Sequence, residues 1–404
     1  MAIDFRVQDA GHPCPDAERT HWSGLRTVQI GPITLEQGGH LPEVTVAYET
    51  WGRLAPDADN VVLVEHALTG DSHVVGAADE QHPTPGWWEG LIGPGAPLDT
   101  DELFVVATNV LGGCRGTTGP SSPGPDGRAW GSRFPRITIR DMVRVEAAAL
   151  EQLGIERLRA VLGGSMGGMR AAEWAATFPT RLDLAVVIAS TGAASAEQIA
   201  WASVQNQAIR ADRHFAGGDY YDTGAAPHEG MAIAREIAQI TYRSEPELQG
   251  RFGNRVQSAQ QTADLAAPER GEGRALYAVE SYLHHHGEKL VARFDAGSFL
   301  VLNEAMSGHD IGAGRGGLRR ALQDFPGDLL VVSVSSDRLY PPAQSEALTA
   351  ACPGARHLRI QSEHGHDGFL IERGRVGAIV RSALHADQPA AARRPNRCGA
   401  AAAS

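Results

Sequence analysis

Leu158-Arg-Ala-Val-Leu-Gly-Gly-Ser-Met-Gly-Gly-Met-Arg170 is the stretch around which the chain is organised. Leu158 to Leu162 is an apolar run that reads as a short buried strand. Gly163, Ser165 and Gly167 then fit G-x-S-x-G, and a helical pattern from Met169 through Phe178 stops before Pro179. Strand, tight glycine turn and helix form the context of a nucleophile elbow. A sharp turn of this kind crowds the backbone, so a Cβ at either flanking glycine would clash. Ser165 is then held strained with its hydroxyl presented outward, and the free N–H groups of the next helix point at the same spot. The elbow makes Met166, directly after the serine, one backbone donor to a developing oxyanion.

Outward from the elbow, apolar runs recur. Val44–Tyr48 alternates and reads as an early strand, after about forty polar residues with no regular pattern. Val61–Glu65 and Leu103–Ala107 are apolar enough to be buried on both faces, as are Leu184–Ile188 and Leu329–Val334. Arg356–Ile360 is the last strand. Thr138 to Leu153 reads as an amphipathic helix ending at Gly154, and a helix from Ile371 to about His385 closes the pattern. Alternating elements of this kind imply a mainly parallel sheet covered on both faces. Between the fourth and fifth of these apolar strands the pattern changes. Ala194–Arg210, Met231–Ile240, Arg274–His286 and Gly297–Met306 read as helices, and no strand is evident from about 191 to 325. The expected organisation is a core over residues 1–190, an all-helical lid over 191–325, the rest of the core over 326–385, and an Ala/Pro/Arg-rich disordered tail over 386–404.

Three residues carry the chemistry. Asp337 follows the strand Leu329–Val334 and His366 follows Arg356–Ile360, so each lies at a strand's carboxyl end, where open α/β sheets bind ligands. A serine hydroxyl is a weak nucleophile near neutral pH. His366 takes its proton and returns it to the leaving group, while Asp337 fixes the imidazole tautomer. The order Ser, Asp, His is that of the α/β-hydrolase fold, whose second oxyanion donor comes from the loop after a central strand. That loop is His66–His73 here, with Leu68 the candidate. His364 rivals His366 as the base, and Asp212 and Asp310 rival Asp337 as the acid. Trp87 and Trp88 read as anchors of a long loop, and Cys114 as structural.

Composition narrows the function classes. The formal net charge of −12 disfavours a nucleic-acid surface, and no apolar run is long enough to span a membrane. The N-terminus lacks a signal-peptide pattern, so a cytoplasmic protein is the default. Cys14, Cys114, Cys352 and Cys398 are far apart, without a C-x-x-C, so no metal site is expected there. The consecutive His284, His285 and His286 point in different directions on a helix and cannot converge on one ion. Lys289 is the only lysine, so arginine carries less meaning than usual. Arg315, Arg319 and Arg320 could meet phosphates but read better as a solvated face.

At His66-Ala-Leu-Thr-Gly-Asp-Ser-His73, Asn109-Val-Leu-Gly-Gly-Cys-Arg-Gly116, Gly163-Gly-Ser-Met-Gly-Gly168, Ser336-Asp-Arg-Leu-Tyr-Pro341 and Gly365-His-Asp-Gly-Phe-Leu370, the chain closely resembles the homoserine O-acetyltransferase family. The resemblance runs from about residue 25 to 385. It implies Ser165, Asp337 and His366 as nucleophile, acid and base, settling His366 over His364. It also implies substrate contacts at Arg235 and Asp367, with Thr69 of the oxyanion loop beside them. Tyr242, seven residues after Arg235, falls near the same helical face and could buttress it. The implied reaction takes acetyl-CoA as co-substrate, with no resident cofactor, and L-homoserine as acceptor in methionine biosynthesis. A homodimer built through the helical lid is implied as well. The residues alone support acyl transfer through an acyl-serine. They leave open a succinyl-CoA donor, a serine acceptor, an esterase, or a binding protein on the same fold.

Overall fold

The computed structural model describes residues 22–257 and 276–386. Its centre is an eight-stranded sheet: β1 (Arg26–Gln29), β2 (Thr45–Trp51), β3 (Val61–Glu65), β4 (Phe104–Thr108), β5 (Leu158–Gly164), β6 (Leu182–Ile188), β7 (Asp328–Val334) and β8 (Arg356–Ile360). The strands lie in the order β1-β2-β4-β3-β5-β6-β7-β8. Only the β1–β2 and β2–β4 pairings are antiparallel. The expected α/β-hydrolase architecture is therefore present, with one correction. The first forty residues are not wholly irregular, because Arg26–Gln29 forms an antiparallel edge strand on β2. Its four residues are half-exposed and too few to show an alternation.

Every residue of β3 is buried. Val62 and Val64 face a cluster with Trp88, Leu184 and Val380, while Val61 and Leu63 face one with Val143, Trp174 and Leu348. Both faces are thus covered, as its unbroken apolar run required. The first face is covered largely by α10 (Arg373–Ala386) and the Trp87–Trp88 loop. Trp88 is 1% exposed, stacks on Trp87 and meets Phe369 edge-on, which makes the pair a loop anchor. The second face takes α1 (Ile139–Gln152), α2 (Met166–Thr177) and α9 (Pro342–Ala351). A capping box between Thr138 and Asp141 starts α1.

Between β6 and β7 the described chain is helical: α3 (Ala196–Arg210), α4 (His228–Tyr242), α5 (Glu245–Arg251), α6 (Ala278–Val291), α7 (Ala296–Ser307) and α8 (Leu318–Leu322). Four of these correspond to expected helices with shifted ends. The short α5 and α8 carry too few turns to show a period. The expected start at Arg274, the tail from 387 onward, Cys14 and Cys398 lie outside the described residues. Ile209, Met231, Leu290 and Phe299 of the helical segment pack with Met142, Met166 and Met169, so it sits on the elbow end of the core.

One charged cluster crosses the interior. Arg170 of α2 is fully buried, with Nη1 2.6 Å from both Glu65 Oε2 of β3 and Glu146 Oε1 of α1. Its Nη2 donates to the His66 carbonyl at 2.7 Å, and Trp174 Nε1 donates to Glu146 at 3.1 Å. Burial pushes the Glu65 carboxyl well above its ordinary range; Arg170 opposes this and Glu146 adds to it. Two buried carboxyl groups on one guanidinium balance in charge when one of them holds a proton, and the direction of the shift makes Glu65 that one. Arg170→Ala should strand the Glu146 charge and cost about 3–5 kcal/mol in urea unfolding. Glu65→Gln keeps the shape of a neutral acid and should cost less than about 1 kcal/mol. Its standing against wild type should improve as pH rises above the ordinary glutamate range, because folded wild type keeps a proton that the unfolded chain releases. Equal losses from both substitutions would contradict this charge count.

Candidate active site

β5 runs two residues further than expected, to Gly164, and α2 begins at Met166, so the whole reversal falls on Ser165. Its φ of 58° and ψ of −121° lie outside the ordinary regions for a side-chain-bearing residue. The strain is held from both sides: Ser165 N donates to the Ile188 carbonyl at 3.0 Å, and Ser190 Oγ donates to the Ser165 carbonyl at 2.7 Å. Gly167 shows why the flanks are glycine. A Cβ there would come within 2.2 Å of the Glu65 carbonyl oxygen.

The structure brings the three chemically suited residues together. His366 Nε2 lies 2.9 Å from Ser165 Oγ, and His366 Nδ1 lies 2.8 Å from Asp337 Oδ2. All three are buried. The other carboxylate oxygen of Asp337 accepts from the N–H groups of Leu339 and Tyr340, each at 2.9 Å, which fixes its plane. His366 sits in a 3-10 turn over Gly365–Asp367. Gly365 has φ +65°, and a Cβ there would meet Ser244 N at 2.6 Å and the Tyr242 carbonyl at 2.8 Å. The glycine thus lets the turn seat against the end of α4. The rings of Tyr340 and Tyr242 stand 5.0 and 5.6 Å from His366. Burial alone would lower the imidazole's pKa, but the charge and hydrogen bond of Asp337, with Asp367 nearby, raise it above its ordinary value.

The rivals lie elsewhere. His364 Nδ1 stands 3.4 Å from Glu247, and Asp212 accepts from the backbones of His214 and Gly230. Asp310 accepts from Gly312 N. Burial pushes the Cys114 thiol up to about 12, which leaves it without thiolate character. Arg315 is bonded to Glu173 and Thr177 of α2, so its guanidinium is already engaged.

A narrow cleft opens over Ser165. Leu68, Trp201, Gln205, Tyr242, Asn303 and Tyr340 are among its walls, and none of its lining residues is charged. Leu68 therefore borders the same space as the serine, and Met166 follows the serine at the head of α2. Arg235, Asp367 and Thr69 do not line the cleft. The Arg235 guanidinium lies over the Tyr242 ring at 5.2 Å, so the seven-residue spacing does place the two together. Among the described residues Arg235 makes no ion pair. Thr69 accepts from Arg293 Nη1 at 2.7 Å through its carbonyl.

Asp367 holds what the sequence did not suggest: its Oδ2 lies 3.1 Å from Arg243 Nη2. Arg243 also donates to Glu247 at 2.8 Å. Burial raises the Asp367 carboxyl, and Arg243, Arg235 and His366 pull it back. Arg243 directly follows Tyr242, but a pair spanning 124 residues leaves no local signature. Tyr340 fell within a quoted motif, yet only the fold shows it beside the imidazole.

A Ser165 hydroxyl bonded to a neutral imidazole should react with a fluorophosphonate, detected as a mass adduct on the tryptic peptide. Because the His366 pKa is raised, labelling should be slow in acid and accelerate as pH rises through that elevated value. His366→Ala should lose at least about 10²-fold in labelling rate. A pH-independent rate would contradict the pairing.

The model of the alpha/beta hydrolase fold matches residues 60–372. The homoserine O-acetyltransferase of Thermobifida fusca is 57% identical over 355 residues, covering 87% of this chain and 91% of that protein. That of Mycolicibacterium smegmatis is 52% identical, covering 96% and 99%. The crystal structure of homoserine O-acetyltransferase from Bacillus anthracis superposes with a TM-score of 0.80 at 26% identity, covering 89% of this chain and 97% of that one. Esterase E22 superposes almost as well, at 0.78 and 26%, with coverage of 89% and 99%. The backbone alone thus does not separate transferase from esterase, whereas sequence identity above one half over nearly the full length does. The chain belongs to the homoserine O-acetyltransferase family, built on the α/β-hydrolase fold.

Proposed function

We propose that this protein transfers the acetyl group of acetyl-CoA to the hydroxyl of L-homoserine, giving O-acetyl-L-homoserine and CoA for L-methionine biosynthesis. The observation that carries this reading is the Ser165–His366–Asp337 relay beneath an uncharged cleft, in a chain of this family. Ser165 attacks the thioester carbonyl and His366 takes its proton. Leu68 and Met166 N–H groups stabilise the oxyanion, CoA leaves with the proton, and an acetyl-serine remains. Homoserine then enters, His366 deprotonates its hydroxyl, and the ester forms as Ser165 regains its proton. No resident cofactor is needed. Relatives 52–57% identical to this chain are acetyltransferases, which supports acetyl over succinyl as the group transferred.

The acceptor is a zwitterion and needs two charged contacts. Arg235 is free of ion pairs among the described residues, and its planar fork suits the substrate carboxylate. Asp367, next to the base, suits the ammonium, with Arg243 holding it in place and Tyr242 supporting Arg235. Thr69, next to Leu68 in the oxyanion loop, is a further contact. The enzyme acts on small molecules in the cytoplasm. Among the described residues no helix is long and apolar enough to cross a membrane. Ile233 and Ile240 are 50% and 38% exposed. They lie seven residues apart on one side of α4, which supports a homodimer through the lid.

Intact-mass analysis after mixing with acetyl-CoA should give one acetyl adduct on wild type and none on Ser165→Ala. Steady-state lines at several fixed homoserine concentrations should be parallel, as a ping-pong scheme requires. Intersecting lines would argue for a ternary complex, and thioester hydrolysis as fast as transfer would favour an esterase.

Arg235→Ala and Asp367→Ala should each lower kcat/KM for homoserine by roughly 10- to 100-fold, the loss of a charged hydrogen bond. Ser165 acetylation should persist in both. Arg235→Lys should recover only part, because a point charge lacks the bidentate geometry. Normal homoserine kinetics in both alanine variants would refute these assignments.

A further inference from the structure

The loop His66–His73, which carries Leu68, is pinned at its far end. Glu49 of β2 is wholly buried and accepts from Ser72 Oγ at 2.9 Å and Trp22 Nε1 at 2.7 Å. Its Oε2 lies 3.2 Å from His73 Nδ1, and His73 Nε2 lies 3.3 Å from the Ala77 carbonyl. Trp87 Nε1 donates to the Asp71 carbonyl at 2.9 Å. A carboxylate and a carbonyl only accept, so an imidazole with one at each nitrogen carries both protons. His82 stacks on His73 with centroids 3.8 Å and planes 6° apart, offering its π face to a cation.

We propose that His73 is a positioning residue of the oxyanion hole: clamped as an imidazolium between Glu49 and Ala77, it fixes the loop His66–His73 and with it the Leu68 N–H. This rests on the reading of Leu68 as an oxyanion donor. Glu49, His73 and His82 also bring three donor atoms within 4.8 Å of one another, a spacing that a metal ion could use. The ring geometry argues for a proton instead. Parallel rings aim their lone pairs along parallel lines, so an ion about 2.0–2.1 Å from both nitrogens would lie far outside both ring planes.

Glu49 and Asp71 are the carboxyl groups that act on the imidazole, Asp79 accepts from the His82 backbone N–H, and His82, whose Nε2 stands 3.6 Å from the same Glu49 oxygen, is the other titratable base beside it. Burial lowers the His73 pKa, but the hydrogen bond and charge of Glu49, helped by Asp71, more than offset it. A raised imidazole pKa contributes fully below the unfolded value of about 6.5 and is lost as pH rises through the folded value. The loop should therefore loosen on the alkaline side, opposite to the limb set by His366, which must lose its proton to act.

The test is the pre-steady-state rate of Ser165 acetylation by acetyl-CoA, followed by quenched-flow mass spectrometry from pH 6 to 10. The wild-type rate should rise through the His366 limb and fall on the alkaline side. His73→Gln should acetylate Ser165 to full stoichiometry but about 10- to 100-fold more slowly, the scale of a small misplacement. It should lack the alkaline fall and keep the KM for homoserine within about twofold. Glu49→Gln should behave alike. A wild-type profile without the alkaline fall, or a His73→Gln rate equal to wild type, overturns the proposal. Should the variants not fold, 15N-imidazole NMR of wild type decides: His73 keeping both protons above the pH at which an ordinary imidazole loses one supports it, and a ring that is neutral there overturns it. One equivalent of Zn²⁺ raising the wild-type Tm, with activity lost on chelation, overturns it in favour of a metal site. Failure of wild type to form any acetyl-Ser165 would instead strike at the acyl-enzyme reading.

Discussion

The left-handed backbone at Ser165 is the constraint on which the rest depends. A residue with a side chain held at φ 58° costs of order 1–3 kcal/mol, and it persists only where its surroundings over-determine it. Here they do so from three strands. β6 supplies the carbonyl of Ile188 and the Ser190 hydroxyl lies just beyond it, β3 presses against Gly167, and β5 delivers the chain. The hydroxyl is therefore presented to His366 by packing, and the catalytic proposal draws on a geometry that the sheet maintains before any substrate arrives.

Arg170 extends that logic to the oxyanion side. It sits on the helix that begins at Met166, and it binds the His66 carbonyl two residues before Leu68. The two proposed donors thus share one buried guanidinium, and Glu65 and Glu146 fix the guanidinium in turn. The far end of the loop is held independently by Glu49, Ser72 and His73. These buried charges lie behind the cleft, where they orient backbone groups, and none of the residues lining the cleft is charged.

Much of this was legible in the residues. Sequence pattern located seven of the eight sheet strands: five as apolar runs, because doubly buried strands must be apolar throughout, Val44–Tyr48 by its alternation, and Arg356–Ile360, a mostly exposed edge strand; only the four-residue edge strand Arg26–Gln29 escaped. Ser165, Asp337 and His366 stood out because glycine spacing and strand ends are local signals, and the fold brings them into contact. The Arg235–Tyr242 pairing followed from helical spacing. The Arg243–Asp367 pair and the Glu49–His73–His82 cluster did not, since each joins segments whose nearness is decided only by tertiary packing. Arg315 shows the converse: on a chain with a single lysine, an arginine's presence says little until its partner is seen.

Ser165 and His366 are 201 residues apart in the chain, with the helical segment and the three strands β6, β7 and β8 between them. Closing so long a loop is entropically costly, and such contacts form late in folding. During synthesis the elbow and the strands from β1 to β6 emerge first, with a strained serine that has no base beside it. The nucleophile is armed only when β7 and β8 dock at the sheet's edge and carry Asp337 and His366 into place. Reactivity in this chain is thereby tied to docking of the last strands, because before they are in register Ser165 has no base to take its proton.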